Sequence, residues 1–433
     1  MPEPDTPLSE RPWEDVERML DVDQACEEIL SSFAPLPAID VAISDALGLN
    51  LAEEVIADVS VPPFTNSAMD GYAVRSTDTS GASGNNPIRL RVIGELAAGY
   101  PSTKSVEPGT AVRIMTGAPL PEGADAVVRF EETDEPVRGL QNLRTESETI
   151  TIHHAAKRFD NVRLAGEDVL AGRVILGHGT RIRPAEIGIL ASLNKRTVSV
   201  HRRPLIAILS TGDEVVDLGR DLQPGQIRNS NSYTLAAMVE RYGGVPQLLG
   251  VACDSTRDLQ KRLQGGAKAD MIVTSGGVSL GDYDVVKDVL AANGTIAIWQ
   301  VRMKPGKPLA FGRLGGQPLL GLPGNPVAAA VSFEQFGRPA ILKMLGRADL
   351  EIPCVHATLT ERIDNRGHRR HFVRARVECD GNSRYTVRSA GNQGAGVLSS
   401  LARANGLLVI PEEIDVAEPG MVLPVQMIDW DLG

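Results

Sequence analysis

The segment Pro204–Glu214, PLIAILSTGDE, indicates the fold of the central part of the chain. Its first six residues are all apolar, which is typical of a strand buried on both faces of a parallel sheet. Small and acidic residues follow directly. Further short apolar runs alternate with helical patterns, which indicates βαβ units and a mostly parallel sheet. The other predicted strands are Gln247–Ala252, Met271–Thr274, Ile296–Val301 and Leu319–Leu322, and the predicted helices are Ser230–Tyr242, Thr256–Leu263, Asp284–Ala292 and Val327–Leu345.

The flanking segments have different patterns. Val22–Phe33 has helical periodicity and ends before Pro35, whereas the region around residues 52–163 is rich in Gly, Pro, Thr and Val with short alternating runs. The tail alternates at period two and contains a predicted hairpin, HFVRARVEC and YTVRS around Asp380–Asn382. We therefore predict a multidomain α/β-plus-β chain. Its domains are a helical and linker domain (residues 12–51 and 164–202), an inserted β-rich domain (52–163), the mostly parallel α/β domain (203–347) and a C-terminal β-barrel-like domain (348–433).

The composition excludes several classes of protein. The 433 residues carry a net charge of −11, which disfavours non-specific binding to nucleic acid or to an anionic membrane. No apolar run reaches the ~18 residues of a membrane span, and the acidic N-terminus lacks the apolar core of a signal peptide. The four cysteines are far apart, which is typical of free thiols in a reducing compartment. We expect a cytoplasmic protein.

Polar and charged residues follow the predicted strands, at the edge where an open parallel sheet binds its ligands. Glycines there let backbone N–H groups approach a phosphate, lysines neutralise an anion, and carboxylates suit Mg²⁺. The pattern therefore indicates a site for a phosphorylated or nucleotide-bearing ligand with a divalent metal. Each loop alone could be an ordinary turn, Asp254 could be a helix cap, and the two lysines could be solvated. The loops are STGDE (210–214), CDS (253–255), TSGG (274–277) with Ser279, Asp282 and Asp284, MKPGKP (303–308) and PGNP (323–326).

An ordered set of motifs across nearly the whole chain resembles the molybdopterin molybdenumtransferases, a family that includes the cofactor-building domain of gephyrin. Any one of the motifs is weak, but the ordered set is highly specific. The motifs are PPFTNSAMDGYAV (62–74), RIMTGAPLPEGADAVV (113–128), GED (166–168), STGDE (210–214), PGQIRNSN (224–231), TSGGVSLGDYD (274–284), MKPGKPLAFG (303–312) and GLPGNPV (321–327). Gln300 and Ala328 depart from the Lys and Ser that members of the family carry there.

The resemblance implies a molybdopterin-binding central domain and a reaction in which molybdate is inserted into adenylated molybdopterin with release of AMP. It also implies Mg²⁺ or a similar divalent cation, and a homodimer whose active sites are shared between subunits. Contact with the adenylyltransferase that supplies the substrate and with molybdoenzymes is a further expectation. No nucleic-acid or membrane partner is expected.

The site residues that follow from the resemblance form a catalytic group, which includes the predicted metal ligands, and a substrate-binding group. The catalytic group is Asp70, Thr116, Glu214, Asp254, Asp284, Lys304 and Lys307, of which Glu214, Asp254 and Asp284 are also the predicted metal ligands. The substrate-binding group is Arg163, Asp168, Thr211, Gly212, Asp213, Ser275, Gly276, Gly277, Ser279, Pro308, Pro323, Gly324, Asn325, Pro326, Arg374 and Ser400.

Two other functions fit the same central fold. One is a molybdopterin adenylyltransferase-like enzyme, which would form the adenylate from ATP without molybdate. The other is a non-catalytic scaffold. Adenylyltransferases of this fold are usually single domains, and the nearly complete set of acidic and basic residues favours catalysis. The transferase is therefore the function that we predict.

Overall fold

The computed structural model describes residues 19–135, 149–278, 286, 289–290, 294–380 and 384–429. These residues form two compact units. The first unit contains the described residues up to Ala52, Gly179–Arg183 and those from Val198 onward, and the second contains Glu53–His178 and Pro184–Thr197. The four-domain division with its boundaries stays a prediction.

The elements are numbered in chain order. The strands are β1 Ala38–Ala42, β2 Val55–Ile56, β3 Asn66–Ser67, β4 Gly71–Val74, β5 Ile88–Leu96, β6 Thr110–Ile114, β7 Ala126–Arg129, β8 Thr149–Ile152, β9 Val162–Arg163, β10 Val174–Leu176, β11 Thr197–His201, β12 Leu205–Thr211, β13 Val215–Val216, β14 Ile227–Arg228, β15 Val245–Ala252, β16 Met271–Ser275, β17 Gly294–Gln300, β18 Met303–Lys304, β19 Pro308–Leu314, β20 Gln317–Leu322, β21 Cys354–Leu359, β22 Ile363–Asp364, β23 Arg370–Cys379, β24 Tyr385–Ser389, β25 Gly406–Ile410, β26 Val416–Ala417 and β27 Val422–Met427. The helices are α1 Val22–Ser31, α2 Pro184–Ser192, α3 Asn231–Arg241, α4 Thr256–Leu263, α5 Pro326–Ser332, α6 Arg338–Met344 and α7 Leu398–Arg403.

The centre of the first unit is a six-stranded sheet in the order β15-β12-β16-β20-β19-β17. β12 pairs in parallel with β15 and β16, β16 pairs in parallel with β20, and β19 is antiparallel to both of its neighbours. The predicted mostly parallel sheet is therefore confirmed. Ile206–Leu209 of β12 are fully buried, as their uninterrupted apolar sequence requires.

Helices cover this sheet with their apolar sides. α3 buries Leu235 and Val239. α1 is capped by Asp21, whose carboxylate accepts a hydrogen bond from the Gln24 N–H at 2.8 Å, and the helix buries Ala25 and Ile29. The cap satisfies an N–H group that would otherwise lack a partner at the start of the helix. Burial of these apolar side chains makes the largest favourable contribution to the free energy of packing the helices on the sheet.

The predicted helix Val327–Leu345 differs from the structure. A π-helical segment, Phe333–Gly337, separates α5 from α6. Pro339, in the first turn of α6, has no N–H group and so cannot make the hydrogen bond that a regular helix needs there. Gly337 lies under the Phe333 ring, because a Cβ atom at this position would come within 2.5 Å of it. The wider turn of the π-helical segment accommodates both the missing N–H group of Pro339 and the close packing of Gly337 against the Phe333 ring.

The C-terminal residues form a closed sheet. The order β23-β24-β21-β27-β25 is completed by pairing of β25 with β23, and the interior is apolar. The predicted hairpin is confirmed by the antiparallel pairing of β23 with β24. β18 pairs in parallel with the start of β23, through Met303 with Arg370 and Lys304 with His371. The central and C-terminal parts of the first unit therefore share a sheet.

The second unit is rich in β-structure, as predicted for this region. Its main sheet has the order β7-β4-β6-β5-β8. Tyr72, Ile150 and Ile152 are fully buried in its core. None of the helices in the described part of the chain is long and apolar enough to cross a lipid bilayer.

Candidate active site

A cavity of about 480 Å³ opens at the carboxyl ends of the central strands. The loops after β12, β15, β16 and β20 meet there, together with the first residues of α3. The edge predicted from the sequence is therefore the edge that carries the cavity. Its lining residues are Ser210, Thr211, Gly212, Glu214, Val215, Ile227, Arg228, Asn229, Ser230, Asn231, Asp254, Ser275, Gly276, Gly277, Val278, Pro308, Pro323, Gly324, Asn325 and Pro326.

The acidic wall of the cavity comes from the loops after β12 and β15. Asp213 and Asp254 are tied to each other, because the Asp254 N–H donates to Asp213 Oδ1 at 3.0 Å and the Asp213 N–H donates to Asp254 Oδ2 at 3.4 Å. Partial burial raises the pKa of Asp254, and the negative charges of Asp213 and Glu214 add to this effect. The carboxylate of Glu214 lies against the backbone of Gly212. Three carboxylates thus share this small region.

The loop after β16 requires glycine. Gly276 and Gly277 have φ angles of 94° and 66°, in the left-handed region. A Cβ atom on Gly276 would lie 2.7 Å from both the carbonyl oxygen and the hydroxyl of Thr211. The Thr211 hydroxyl is buried and has no hydrogen-bond partner among the described residues. The close approach of these two loops makes a narrow cradle between β12 and β16.

Asn231, the first residue of α3, joins three elements around the cavity. Its side-chain N–H₂ donates to Ser275 Oγ at 2.6 Å and to the Gly324 carbonyl at 2.8 Å. Ser275 Oγ in turn donates to the Pro323 carbonyl at 3.2 Å. Ser230, just before the helix, makes no capping hydrogen bond with its side chain. Asn229 Oδ1 caps the helix instead, by accepting a hydrogen bond from the Ser232 N–H at 3.2 Å. The positive end of the α3 dipole thus lies at the cavity.

The predicted basic loop follows a different path from the other four loops. Only Pro308 of its residues lines the cavity, because β18 turns away to pair with β23. Lys304 is partly buried, and this burial, together with the charges of Arg369 and Arg374, lowers its pKa. The structure thus places Lys304 in a second, basic cluster within the first unit.

Arg374, at the centre of this basic cluster, is fully buried. Its Nε donates to Ser400 Oγ at 3.2 Å, and its Nη2 donates to the carbonyls of Asn392 and Gly394 at 3.2 and 3.1 Å. Burial lowers its pKa to about 10. The two residues predicted in the tail, Arg374 and Ser400, are therefore in direct contact, and Arg374 Nη1 has no partner among the described residues.

Three family models match successive parts of the chain. They are the MoeA N-terminal region (domains I and II) over residues 20–194, a probable molybdopterin-binding domain over residues 207–343 and the MoeA C-terminal region (domain IV) over residues 356–428. Molybdopterin molybdenumtransferase 2 of Mycobacterium tuberculosis is 40% identical over 401 residues, which cover 91% of this chain and 95% of that protein. The chain belongs to the MoeA family.

Other relatives of this MoeA-family protein span nearly its whole length. Molybdopterin molybdenumtransferase of Haemophilus influenzae is 35% identical over 418 residues, which cover 96% of this chain and 100% of that protein. The crystal structure of the molybdopterin biosynthesis MoeA protein of Pyrococcus horikoshii OT3 has a TM-score of 0.79 and 28% identity, and the match covers 95% of this chain and 100% of that one. The multidomain MoeA-like fold is therefore shown by both sequence and structure.

Four predicted site residues of the MoeA-family protein lie in its second unit. Asp70 Oδ1 accepts hydrogen bonds from the Thr116 N–H at 2.7 Å and from the Thr116 hydroxyl at 2.9 Å. Arg163 is exposed on β9, where it pairs with Asn66 of β3, and Asp168 is exposed in the loop between β9 and β10. Asp70 and Thr116 are thus brought together as one group.

The remaining predictions fall on the loop after β16. Ser279 and Asp284 lie outside the described residues, as does Asp282. Among the residues that are described, no group of three or more His, Cys, Asp or Glu side chains is arranged to hold a metal ion. Because Asp284 belongs to the predicted metal set, the role of Glu214, Asp254 and Asp284 as ligands stays a prediction.

Two side chains of this MoeA-family protein, just before and at the start of α3, shape the cavity but are not among the residues predicted from the sequence. Asn229 Oδ1 accepts a hydrogen bond from Ser210 Oγ at 3.0 Å, and Asn231 holds two of the strand-end loops. Both residues belong to PGQIRNSN, a motif that carried the resemblance but was given no role. The available signal was the pair of asparagines just before a helix, a position where side-chain amides satisfy backbone or loop groups.

Proposed function

We propose that this MoeA-family protein is a molybdopterin molybdenumtransferase, which inserts molybdenum from molybdate into adenylated molybdopterin and releases AMP. The curated relatives that match nearly the whole chain at 33–40% identity bear this name. The observation that carries the proposal is the cavity at the carboxyl edge of the sheet, where glycine loops and carboxylates meet the start of α3.

The cavity suits the nucleotide part of such a substrate. Its 480 Å³ volume is within the usual range for small-molecule sites. The glycine loop after β16 lets phosphate oxygens approach the backbone closely, and the start of α3 adds a partial positive charge. Thr211 contributes a buried hydroxyl that has no other partner among the described residues. We assign the adenylate to this cradle.

The acidic wall fits a divalent cation such as Mg²⁺. Burial raises the pKa of Asp254, and repulsion from the carboxylates of Asp213 and Glu214 raises it further. A hard cation would relieve this repulsion. When bound, the cation would neutralise charge on the phosphate oxygens of the adenylate. Glu214 and Asp254 would hold it, with Asp284 as the third predicted ligand.

The basic cluster suits the molybdate dianion. Lys304, Arg369 and Arg374 lie close enough for the two guanidinium groups to lower the pKa of Lys304. Such a like-charged group is unfavourable when alone and becomes favourable around an anion. Arg374 Nη1 is buried without a partner among the described residues and can donate to an oxyanion. Lys307 directly precedes Pro308, which lines the cavity.

The protein is further proposed to act as a homodimer with shared active sites, in which Asp70, Thr116, Arg163 and Asp168 serve the site of the partner subunit. We also propose that it works in the cytoplasm, where its four free cysteines would stay reduced. Transfer of a reactive pterin suggests contact with the adenylyltransferase that precedes it and the molybdoenzymes that follow.

The proposal is tested by measuring AMP release from adenylated molybdopterin with Mg²⁺, with and without molybdate. We expect molybdate-dependent release of AMP with molybdenum retained on the pterin. Glu214→Gln and Asp254→Asn should each lower the rate at least a hundredfold, since each removes a charge from the acidic wall. Glu378→Gln is the matched control, because Glu378 is exposed on β23 and its side chain pairs only with Arg388 among the described residues.

Other outcomes of this assay would refute the proposal. Formation of the adenylate from ATP without molybdate would identify an adenylyltransferase-like enzyme. A folded protein that binds the adenylate but never releases AMP would identify a scaffold. Full activity in the Glu214→Gln, Asp254→Asn double variant would remove the roles assigned to the acidic wall.

A further inference from the structure

A second cavity in the first unit lies at the opposite edge of the central sheet. Its volume is about 320 Å³. Arg203, which precedes β12, and Gly243, which precedes β15, both line it, so it opens at the amino ends of these strands. The candidate active site lies at their carboxyl ends. The second cavity is thus a separate feature, and nothing in the proposed reaction uses it.

Four arginines line this cavity: Arg181, Arg203, Arg241 and Arg347, and we name it the arginine pocket. Asp45 and Glu240 are its acidic lining residues, so the lining side chains carry an excess of two positive charges. The whole chain, by contrast, has a net charge of −11. A local excess of guanidinium groups in an acidic protein indicates a preference for anions.

Backbone carbonyls hold Arg203 in place. Arg203 donates from Nε and Nη2 to the carbonyls of Gly243 and Gly244, each at 2.9 Å. Partial burial lowers the pKa of Arg347, the positive charges of Arg181 and Arg338 add to this effect, and the negative charge of Asp349 opposes it without cancelling it. The Arg347 guanidinium makes no hydrogen bond to another described residue. Two guanidinium groups that repel each other in a partly desolvated pocket would be stabilised by a bound anion.

Asn50 provides a second, independent observation. It is only 1% exposed, it lines the arginine pocket, and its Oδ1 has no hydrogen-bond partner among the described residues. A buried amide oxygen without a partner is costly, by about 1–3 kcal/mol. A ligand that brings a hydroxyl donor as well as anionic oxygens would satisfy Asn50 and the guanidinium groups together. Hydrogen phosphate carries both kinds of group, since its P–OH donates while its other oxygens accept.

We propose that the arginine pocket binds a phosphate-type oxyanion, in which Arg347 and Arg241 contact the anionic oxygens and Asn50 accepts a hydrogen bond from the P–OH group. The ligand is either free inorganic phosphate or the phosphoryl group of a small metabolite. This inference is independent of the proposed transferase reaction.

The test is calorimetric titration of the whole protein with inorganic phosphate and, separately, with AMP, at constant ionic strength set with chloride. We expect saturable binding whose Kd rises at least tenfold in Arg347→Gln. Arg241→Gln should raise the Kd in the same direction, and because Arg241 is exposed on α3 this variant keeps the fold. Arg89→Gln is the matched control, since Arg89 is exposed on β5 in the second unit.

The two ligands distinguish the sources of the phosphoryl group. If Arg347→Gln weakens the binding of inorganic phosphate, the ligand is the free anion. If Arg347→Gln weakens the binding of AMP alone, the ligand is a phosphorylated metabolite. AMP can also occupy the candidate active site. The share of AMP binding that belongs to the arginine pocket is therefore the share that is lost in both Arg347→Gln and Arg241→Gln. Binding that is equal in the wild type, Arg347→Gln and Arg241→Gln, or that does not exceed binding of chloride, would overturn the proposal.

Discussion

The ionisation of the buried residue His371 should make the stability of the protein depend on pH. It is 3% exposed, and neither ring nitrogen has a hydrogen-bond partner among the described residues. Burial, together with the positive charges of Lys304, Arg374 and Arg369, lowers its pKa to about 3. The imidazole is therefore neutral in the folded protein at neutral pH, whereas in the unfolded chain it would take up a proton near pH 6.5.

We predict that the folded state loses stability as the pH falls below about 6.5, because the unfolded chain then binds a proton that folded His371 does not. This contribution is complete above that pH and decreases by about 1.4 kcal/mol for each pH unit down to the folded pKa. His371→Leu should flatten the dependence of the free energy of unfolding on pH between 6.5 and 5, as measured by urea titration. The exposed His356→Gln variant is the control. An unchanged slope in His371→Leu would show that the ring titrates normally.

Lys304 gives a related prediction for ligand binding. Since its pKa is lowered by burial and by the two arginines, it loses its proton at a lower pH than an ordinary lysine does. If Lys304 helps to bind molybdate, the affinity should therefore fall with rising pH before the usual lysine range is reached. Isothermal titration with molybdate at a series of pH values measures this effect. Lys304→Arg, which keeps its charge, should bind with an affinity that no longer falls over the same interval.

At the scale of elements, Asn231 ties the start of α3 to the loops after β16 and β20. Asn231→Ala removes both hydrogen bonds, and Asn231→Asp replaces the donating N–H₂ by an oxygen that repels the Gly324 carbonyl. We predict that each variant lowers the rate of AMP release about tenfold, which corresponds to about 1.4 kcal/mol. The loss should appear as a higher KM for the adenylate, because the cradle is loosened. Equal kinetics in the wild type and Asn231→Asp would show that the helix is positioned by other contacts.

The elements also show how far the sequence could predict the site. Thr211, Gly212, Glu214 and Asp254 directly follow apolar strands, so strand prediction alone was sufficient to place them at one edge. Lys304 also follows a predicted strand, yet β18 pairs with β23 and carries it into the basic cluster. Pairing between residues so far apart in the chain leaves no local pattern. The role of Asn231 was missed for a similar reason, because its two partners lie on other loops.

At the scale of the molecule, the two units have separate apolar cores. The cores of the second unit contain Tyr72, Ile150 and Ile114, whereas those of the first contain Ile208 and Leu209, and the described core clusters share no residue. Sequence patterns predicted the change from β-rich to α/β structure along the chain. They could not predict which distant segments join one unit, because that depends on packing and not on periodicity.

Separate cores predict two transitions in differential scanning calorimetry. Ile150→Ala should lower the midpoint of one transition and Ile208→Ala the midpoint of the other, since each truncation of a fully buried side chain costs about 2–5 kcal/mol. A single transition that both variants shift equally would show that the units unfold together.

The pairing of β18 with β23 has a consequence for any attempt to isolate the C-terminal barrel. A fragment that begins after α6 would lack Arg302, Met303 and Lys304. The Arg370 N–H, which donates to the Arg302 carbonyl at 3.1 Å, and the start of β23 that pairs with β18 would then be exposed. An uncovered strand edge can template the addition of a strand from another molecule. We therefore expect the excised barrel to self-associate. In the whole protein, the two-residue strand β18 covers this edge of β23 and so protects it from pairing with another molecule.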